Sequence, residues 1–209
     1  MKRLISLFLI PAAFFVASCG SSSTGNSANG APQVKTGVTP VADNEIAVIE
    51  MEKPDVYGTI KLELYSNVAP QAVARFKELA REGVYNGVTF HRVNQSVIQS
   101  GDPNSKDDDP MNDGQGNSTK PNVPAEFSDI PYDTGILGAA RKGNDVNSAN
   151  SQWFITLKRE AGFDKNYTVF GRVIEGMNHV RTIAGVTPKE GERPVEPIKI
   201  RTISIVPKS

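Results

Sequence analysis

From residue 45 to residue 207 the chain breaks into short apolar runs, each closed by Gly, Pro, Asn, Asp or Ser. That punctuation constrains the fold more than any other feature. Residues 46–49, 59–64, 88–90, 97–99, 135–140, 153–157, 169–173 and 198–205 each read as a strand, and 59–64 alternates cleanly enough to have one buried face. Lys53-Pro54-Asp55 is turn chemistry between the first two. Only two stretches read as helix. Pro70 sits well at a first helical position and Gly83 ends the segment, with Val73, Phe76, Leu79 and Ala80 as a core-facing stripe. Residues 176–184 form the second. Residues 101–124, rich in Asp, Asn, Gly, Pro and Ser, make a long surface loop. Many short strands with one early and one late helix predict an all-β barrel capped by helices.

The same region, about 160 residues, is long enough to bury one core. Lys plus Arg and Asp plus Glu number 23 each, which implies no general affinity for nucleic acid. A single cysteine excludes an internal disulfide and any multi-thiolate metal site. The two histidines, His91 and His179, lack zinc-ligand spacing, so no metal and no cofactor are expected. Asp107-Asp108-Asp109 suggests calcium, but the EF-hand register measured from Gly114 puts Met111 at a ligand position. Gly114-Gln115-Gly116 follows no strand and opens no helix, so it is no phosphate cradle. No nucleophile elbow is present.

The N-terminus is an address. Lys2 and Arg3 precede an apolar run over 4–16, too short to span a bilayer but right for a secretory signal. Val16-Ala17-Ser18-Cys19 resembles the lipobox of bacterial lipoproteins, in which the cysteine is acylated and becomes the mature N-terminus. Residues 1–18 are thus expected to be a signal peptide and Cys19 a lipidation site that ties the protein to a membrane of the bacterial cell envelope. Residues 19–44, rich in Ser, Gly, Asn and Thr without hydrophobic period, read as a flexible tether to a domain over 45–207.

Tyr85-Asn86-Gly87-Val88-Thr89-Phe90-His91-Arg92-Val93 resembles the Phe-His-Arg signature of cyclophilin-type peptidyl-prolyl isomerases. Gln99-Ser100-Gly101-Asp102-Pro103, Asn150-Ser151-Gln152-Trp153-Phe154-Ile155 and Tyr167-Thr168-Val169-Phe170-Gly171-Arg172-Val173 follow in the family's order, with Pro124–Phe127 and Gly135–Arg141 as further similar segments. The resemblance implies an eight-stranded antiparallel barrel with a helix at each end. It also implies isomerisation of X-Pro bonds in proline-containing polypeptides, without a cofactor. A monomer is expected.

Carried over position by position, the resemblance makes Arg92 the catalytic guanidinium, has Gln99 position it, and makes Phe154 the floor of the proline pocket. Val97, Ala140, Arg141, Gln152, Phe163 and Tyr167 are placed on the groove and its walls. His91 is placed with them among the substrate-binding residues, and is read as a buried, hydrogen-bonded support rather than a proton carrier, because the reaction needs no general base. Three departures shrink the pocket. The turn Asn94-Gln95-Ser96 is one residue short and puts Ser96 where the family has an aromatic. Val97 replaces a longer methionine, and Gly162 lies where some relatives carry tryptophan. Weaker proline binding is expected. The competing reading is a peptide-binding or chaperone module of the same fold with reduced or lost catalysis.

Overall fold

The structure, a computed structural model, describes residues 32–186 and 192–208. The expected signal, Cys19 and residues 19–31 of the tether lie outside the described residues. Eight strands make one antiparallel sheet: β1 Glu45–Met51, β2 Thr59–Leu64, β3 Arg92–Val93, β4 Val97–Ser100, β5 Ile136–Ala139, β6 Trp153–Thr156, β7 Val169–Glu175 and β8 Ile200–Pro207. Their order across the sheet is β3-β4-β6-β5-β7-β2-β1-β8. The sheet curls until its edges meet just outside β3 and β8. There the Phe90 N–H donates to the Ile198 carbonyl at 3.0 Å and the Ile200 N–H to that of Val88 at 2.8 Å. Residues 88–90, expected as a strand, act in this closure as an isolated bridge of Thr89 to Lys199.

Both expected helices form. In α2, Pro70–Arg81, the missing proline N–H falls where no helical partner exists. The next two N–H groups, of Gln71 and Ala72, donate to the Glu126 carboxylate at 3.1 and 2.9 Å. A buried acid from a distant segment thus satisfies the positive end of the helix. Helix α2 and the later helix Met177–Ala184 press Val73, Phe76, Leu79, Val180 and Ile183 into one buried cluster with the barrel interior. A further single turn of helix, Pro54–Tyr57, replaces the plain turn expected there, with proline again at its start. Numbered in chain order, Pro54–Tyr57 is α1 and Met177–Ala184 is α3.

Strand alternation sorts side chains to two layers. Ile98, Leu137, Trp153, Ile155 and Phe170 point into the barrel. Their immediate neighbours Val97, Ile136, Phe154 and Val169 point outward, into a second buried cluster with Tyr65, Val68, Ile130 and Tyr132. That stretch of sheet is therefore covered on both faces, which is why β6 reads as an unbroken apolar run.

Two loop expectations change. Residues 32–44, read as flexible tether, lie along the domain, because backbone groups and short polar side chains find partners there. The Lys35 N–H donates to the Phe127 carbonyl and the Asp129 N–H to that of Lys35. Asn67 exchanges bonds with Val41 and Thr39, and Asp43 accepts from Ser66 and Lys77. The long loop over 101–124 is organised by one buried carboxylate, Asp102, which accepts from the N–H groups of Asn104 and Gly116 and starts a 3-10 turn at Pro103–Lys106.

Candidate active site

Register places the site. Arg92 on β3 stands opposite Gln99 on β4, Gln99 opposite Phe154 on β6, and Phe154 opposite Gly138 on β5. Residues directly opposite share a face, so the four form one row across the outer surface of the sheet. Two strand spacings separate Arg92 from Phe154, roughly 10 Å, which is room for one proline residue between a charged end and an apolar end.

The apolar end is a packed aromatic group. The Phe154 ring stacks on Tyr132 at 5.7 Å and 25°, and meets the edges of Phe163 at 5.5 Å and Tyr167 at 5.7 Å. Val97 and Ala140 pack on the same cluster. Gly138 lies under it. A methyl there would clash with the tip of the Phe154 ring and stand 2.7 Å from the Tyr132 hydroxyl, so only glycine lets the ring lie flat on the sheet. Tyr132 is a site residue that sequence reasoning missed, since its segment carries no family motif.

The polar end is a chain of donors aimed one way. Arg92 Nη1 reaches Gln99 Oε1 at 3.4 Å, Gln99 Nε2 donates to Gln152 Oε1 at 2.9 Å, and Gln152 Nε2 donates to the carbonyls of Gly114 and Gly116 at 3.1 and 2.8 Å. The long loop thus orients the guanidinium through two amides. Arg92 Nε donates to Glu192 at 2.6 Å. Among the described residues Nη2 has no partner, and it remains available to a substrate. Gln99, Ala140, Arg141 and Gln152 also line an open cleft of about 410 Å³ with Gly114, Asn117 and Lys142.

One expectation needs correction, and two gain detail. Arg141 lines the cleft, as expected, but four of its five N–H groups are spent on its own surroundings. Its guanidinium donates to the carbonyls of Asn166, Lys142 and Gly143 and lies 4.6 Å above the Tyr167 ring, so it braces the aromatic wall. His91 is buried at 6% exposure, too deep to meet a peptide, yet neither ring nitrogen finds a hydrogen-bond partner among the described residues. Burial pushes its pKa down to about 4, the charge of Asp102 opposing this only in part, so the ring is neutral near pH 7. The short turn is as expected. Asn94 Oδ1 accepts from the N–H groups of both Ser96 and Val97 at 2.8 Å, which closes a tight hairpin with no aromatic over the pocket.

Residues 47–205 match the family model for cyclophilin type peptidyl-prolyl cis-trans isomerases. A probable peptidyl-prolyl cis-trans isomerase of Brucella suis is 42% identical over 164 residues, covering 76% of this chain and 82% of its own. The human peptidyl-prolyl cis-trans isomerase-like 1 is 36% identical over 161 residues, 71% of this chain and 90% of its own. A Cryptosporidium parvum cyclophilin-type isomerase, crystallised in the presence of the dipeptide Ala-Pro, superposes with a TM-score of 0.69 at 27% identity, over 78% of this chain and 99% of that one. The curled eight-stranded sheet, the row of Arg92, Gln99 and Phe154 and these likenesses agree: the chain belongs to the cyclophilin-type peptidyl-prolyl cis-trans isomerases.

Proposed function

We propose that this isomerase acts on X-Pro bonds of exported polypeptides, with Arg92, Gln99 and Phe154 as its working groups and lipid on Cys19 holding it at a membrane of the bacterial envelope. The observation that carries the catalytic part is the single row of Arg92, Gln99 and Phe154 on one outer face.

Isomerisation makes and breaks no covalent bond. Its obstacle is amide resonance, a barrier of about 18–20 kcal/mol that is crossed unaided in roughly 10–100 s. Millisecond turnover requires about four decades, or roughly 5–6 kcal/mol of transition-state stabilisation. As the bond twists, the proline nitrogen becomes pyramidal and exposes a lone pair that the planar ground state does not offer. Arg92 Nη2 donates to that lone pair, an interaction made only in the transition state. Such a bond to a charged donor contributes about 1.5–3 kcal/mol. The remainder comes from seating the ring on Phe154 between Val97, Phe163 and Tyr167, and from the second N–H of Gln99 Nε2 holding the substrate backbone. Residues before the proline run over the cleft beside Ala140 and Gln152.

The envelope assignment rests on Lys2-Arg3, the apolar run and Val16-Ala17-Ser18-Cys19. NMR exchange on a short X-Pro peptide tests the catalytic part. Arg92→Ala should lower kcat/KM about ten- to a hundredfold, the equivalent of one charged hydrogen bond. If the unaltered protein binds the peptide without accelerating exchange beyond Arg92→Ala, the peptide-binding module is the better reading. Cys19→Ala should move the protein from the membrane fraction to the soluble one, and unchanged pelleting would remove the lipid anchor.

A further inference from the structure

Arg92 is held on two sides, and only one of them belongs to the Arg–Gln pair expected from the sequence. The other is Glu192, 100 positions away in the segment between α3 and β8. Both its carboxylate oxygens are engaged: Oε2 accepts from Arg92 Nε at 2.6 Å and Oε1 from Asn94 Nδ2 at 3.0 Å. The carboxylate therefore ties the strand that carries the arginine to the short turn that bounds the pocket.

The backbone is committed to this contact. Glu192 has φ of 67°, a left-handed conformation that residues with a side chain disfavour. The next residue faces a different partner, Arg193 Nε lying 3.4 Å from Asp113 Oδ2 on the long loop. Adjacent side chains so clamp the segment between β3 and the loop that also receives the Gln152 amide. A guanidinium is planar, so fixing Nε through Glu192 and Nη1 through Gln99 sets the direction of the third nitrogen, Nη2. The Arg92 side chain is 46% exposed and would otherwise sample several rotamers.

We propose that Glu192 is a positioning residue of the isomerase, holding the Arg92 guanidinium at the angle from which Nη2 meets the twisted proline nitrogen. This rests on the catalytic reading of Arg92. The test is NMR exchange on a short X-Pro peptide, separating turnover from affinity, with Glu192→Ala, Glu192→Gln and Glu192→Gly each made alone and on Arg92→Ala. Glu192→Ala should lower kcat/KM about three- to tenfold, the range between an exposed ion pair and a charged hydrogen bond. The loss should fall on kcat, with peptide affinity unchanged. Glu192→Gln, which keeps an oxygen for Nε, should recover most of it. Glu192→Gly, which relieves the backbone, should lose as much as alanine. None should matter on Arg92→Ala. Unchanged or raised activity in Glu192→Ala, full activity in Glu192→Gly, or an equal loss on Arg92→Ala would each overturn the proposal. Wild-type activity in Arg92→Ala by itself would instead bring down the catalytic reading of the arginine.

Discussion

The two faces of this sheet are made by the same strands and differ in almost everything else. Inward, Trp153 meets Phe76, Tyr85 and Phe90 edge to face, and the layer is closed by two helices. Outward, Phe154 and its aromatic neighbours form a smaller layer that stops at a water-facing row of Arg92, Gln99 and Gln152. The interior supplies rigidity, and the outer layer uses it. A charged donor can keep a fixed distance from an apolar group because β3 and β6 flank the same strand, β4, of a sheet that cannot easily flex.

That contrast can be broken in several ways. Trp153→Ala, on the inner face, should cost about 3–5 kcal/mol in stability, read as a lower denaturant midpoint, while the molecules still folded keep their turnover. Loss of turnover in the folded fraction would show that the layers are not separable. His91 sits at the boundary. Held at about 4 rather than 6.5, it stays neutral in the folded chain while the unfolded chain takes up a proton. Stability should therefore fall as the pH drops from 6.5 to about 4, by on the order of 3 kcal/mol, and this contribution should level off below. Denaturant titrations across that interval check it, and His91→Gln should flatten the slope.

Gly138→Ala puts a methyl beneath Phe154 and should cost about 1–3 kcal/mol by overpacking. With that ring as the proposed floor of the pocket, turnover should fall further than stability does. An unaffected exchange rate would mean that the ring's position is not critical. The smallest effect concerns the open wall. Ser96→Phe restores an aromatic beside Val97 and should tighten peptide binding about two- to tenfold, the worth of one aromatic contact. No change in KM would show that the tight hairpin points position 96 away from the pocket.

Most of the barrel was legible because strand ends are written locally, in Gly, Pro, Asn and Asp. Pro70 and the stripe from Val73 to Ala80 sufficed for α2. Arg92, Gln99 and Phe154 stood in recognisable motifs, and strand register brings those three together. Periodicity was silent on which residues of β6 face in or out, because a strand covered on both faces shows no alternation. It was equally silent on Glu126 capping α2, on Tyr132 beneath Phe154, on Arg141 turning back to its own loop, and on the docking of 32–44. Each depends on a partner far away in the chain.

By itself, then, the sequence determined seven of the eight strands, the two main helices and the residues proposed for the chemistry, since these depend on neighbours within a few positions. Only the tertiary structure decided how those residues are aimed: that His91 is sealed with no hydrogen-bond partner among the described residues, that Asn94 closes a hairpin without an aromatic, and that Glu192 grips Arg92 from 100 positions away. Orientation is set by contacts between distant segments, and no local pattern of residues encodes which of them will meet.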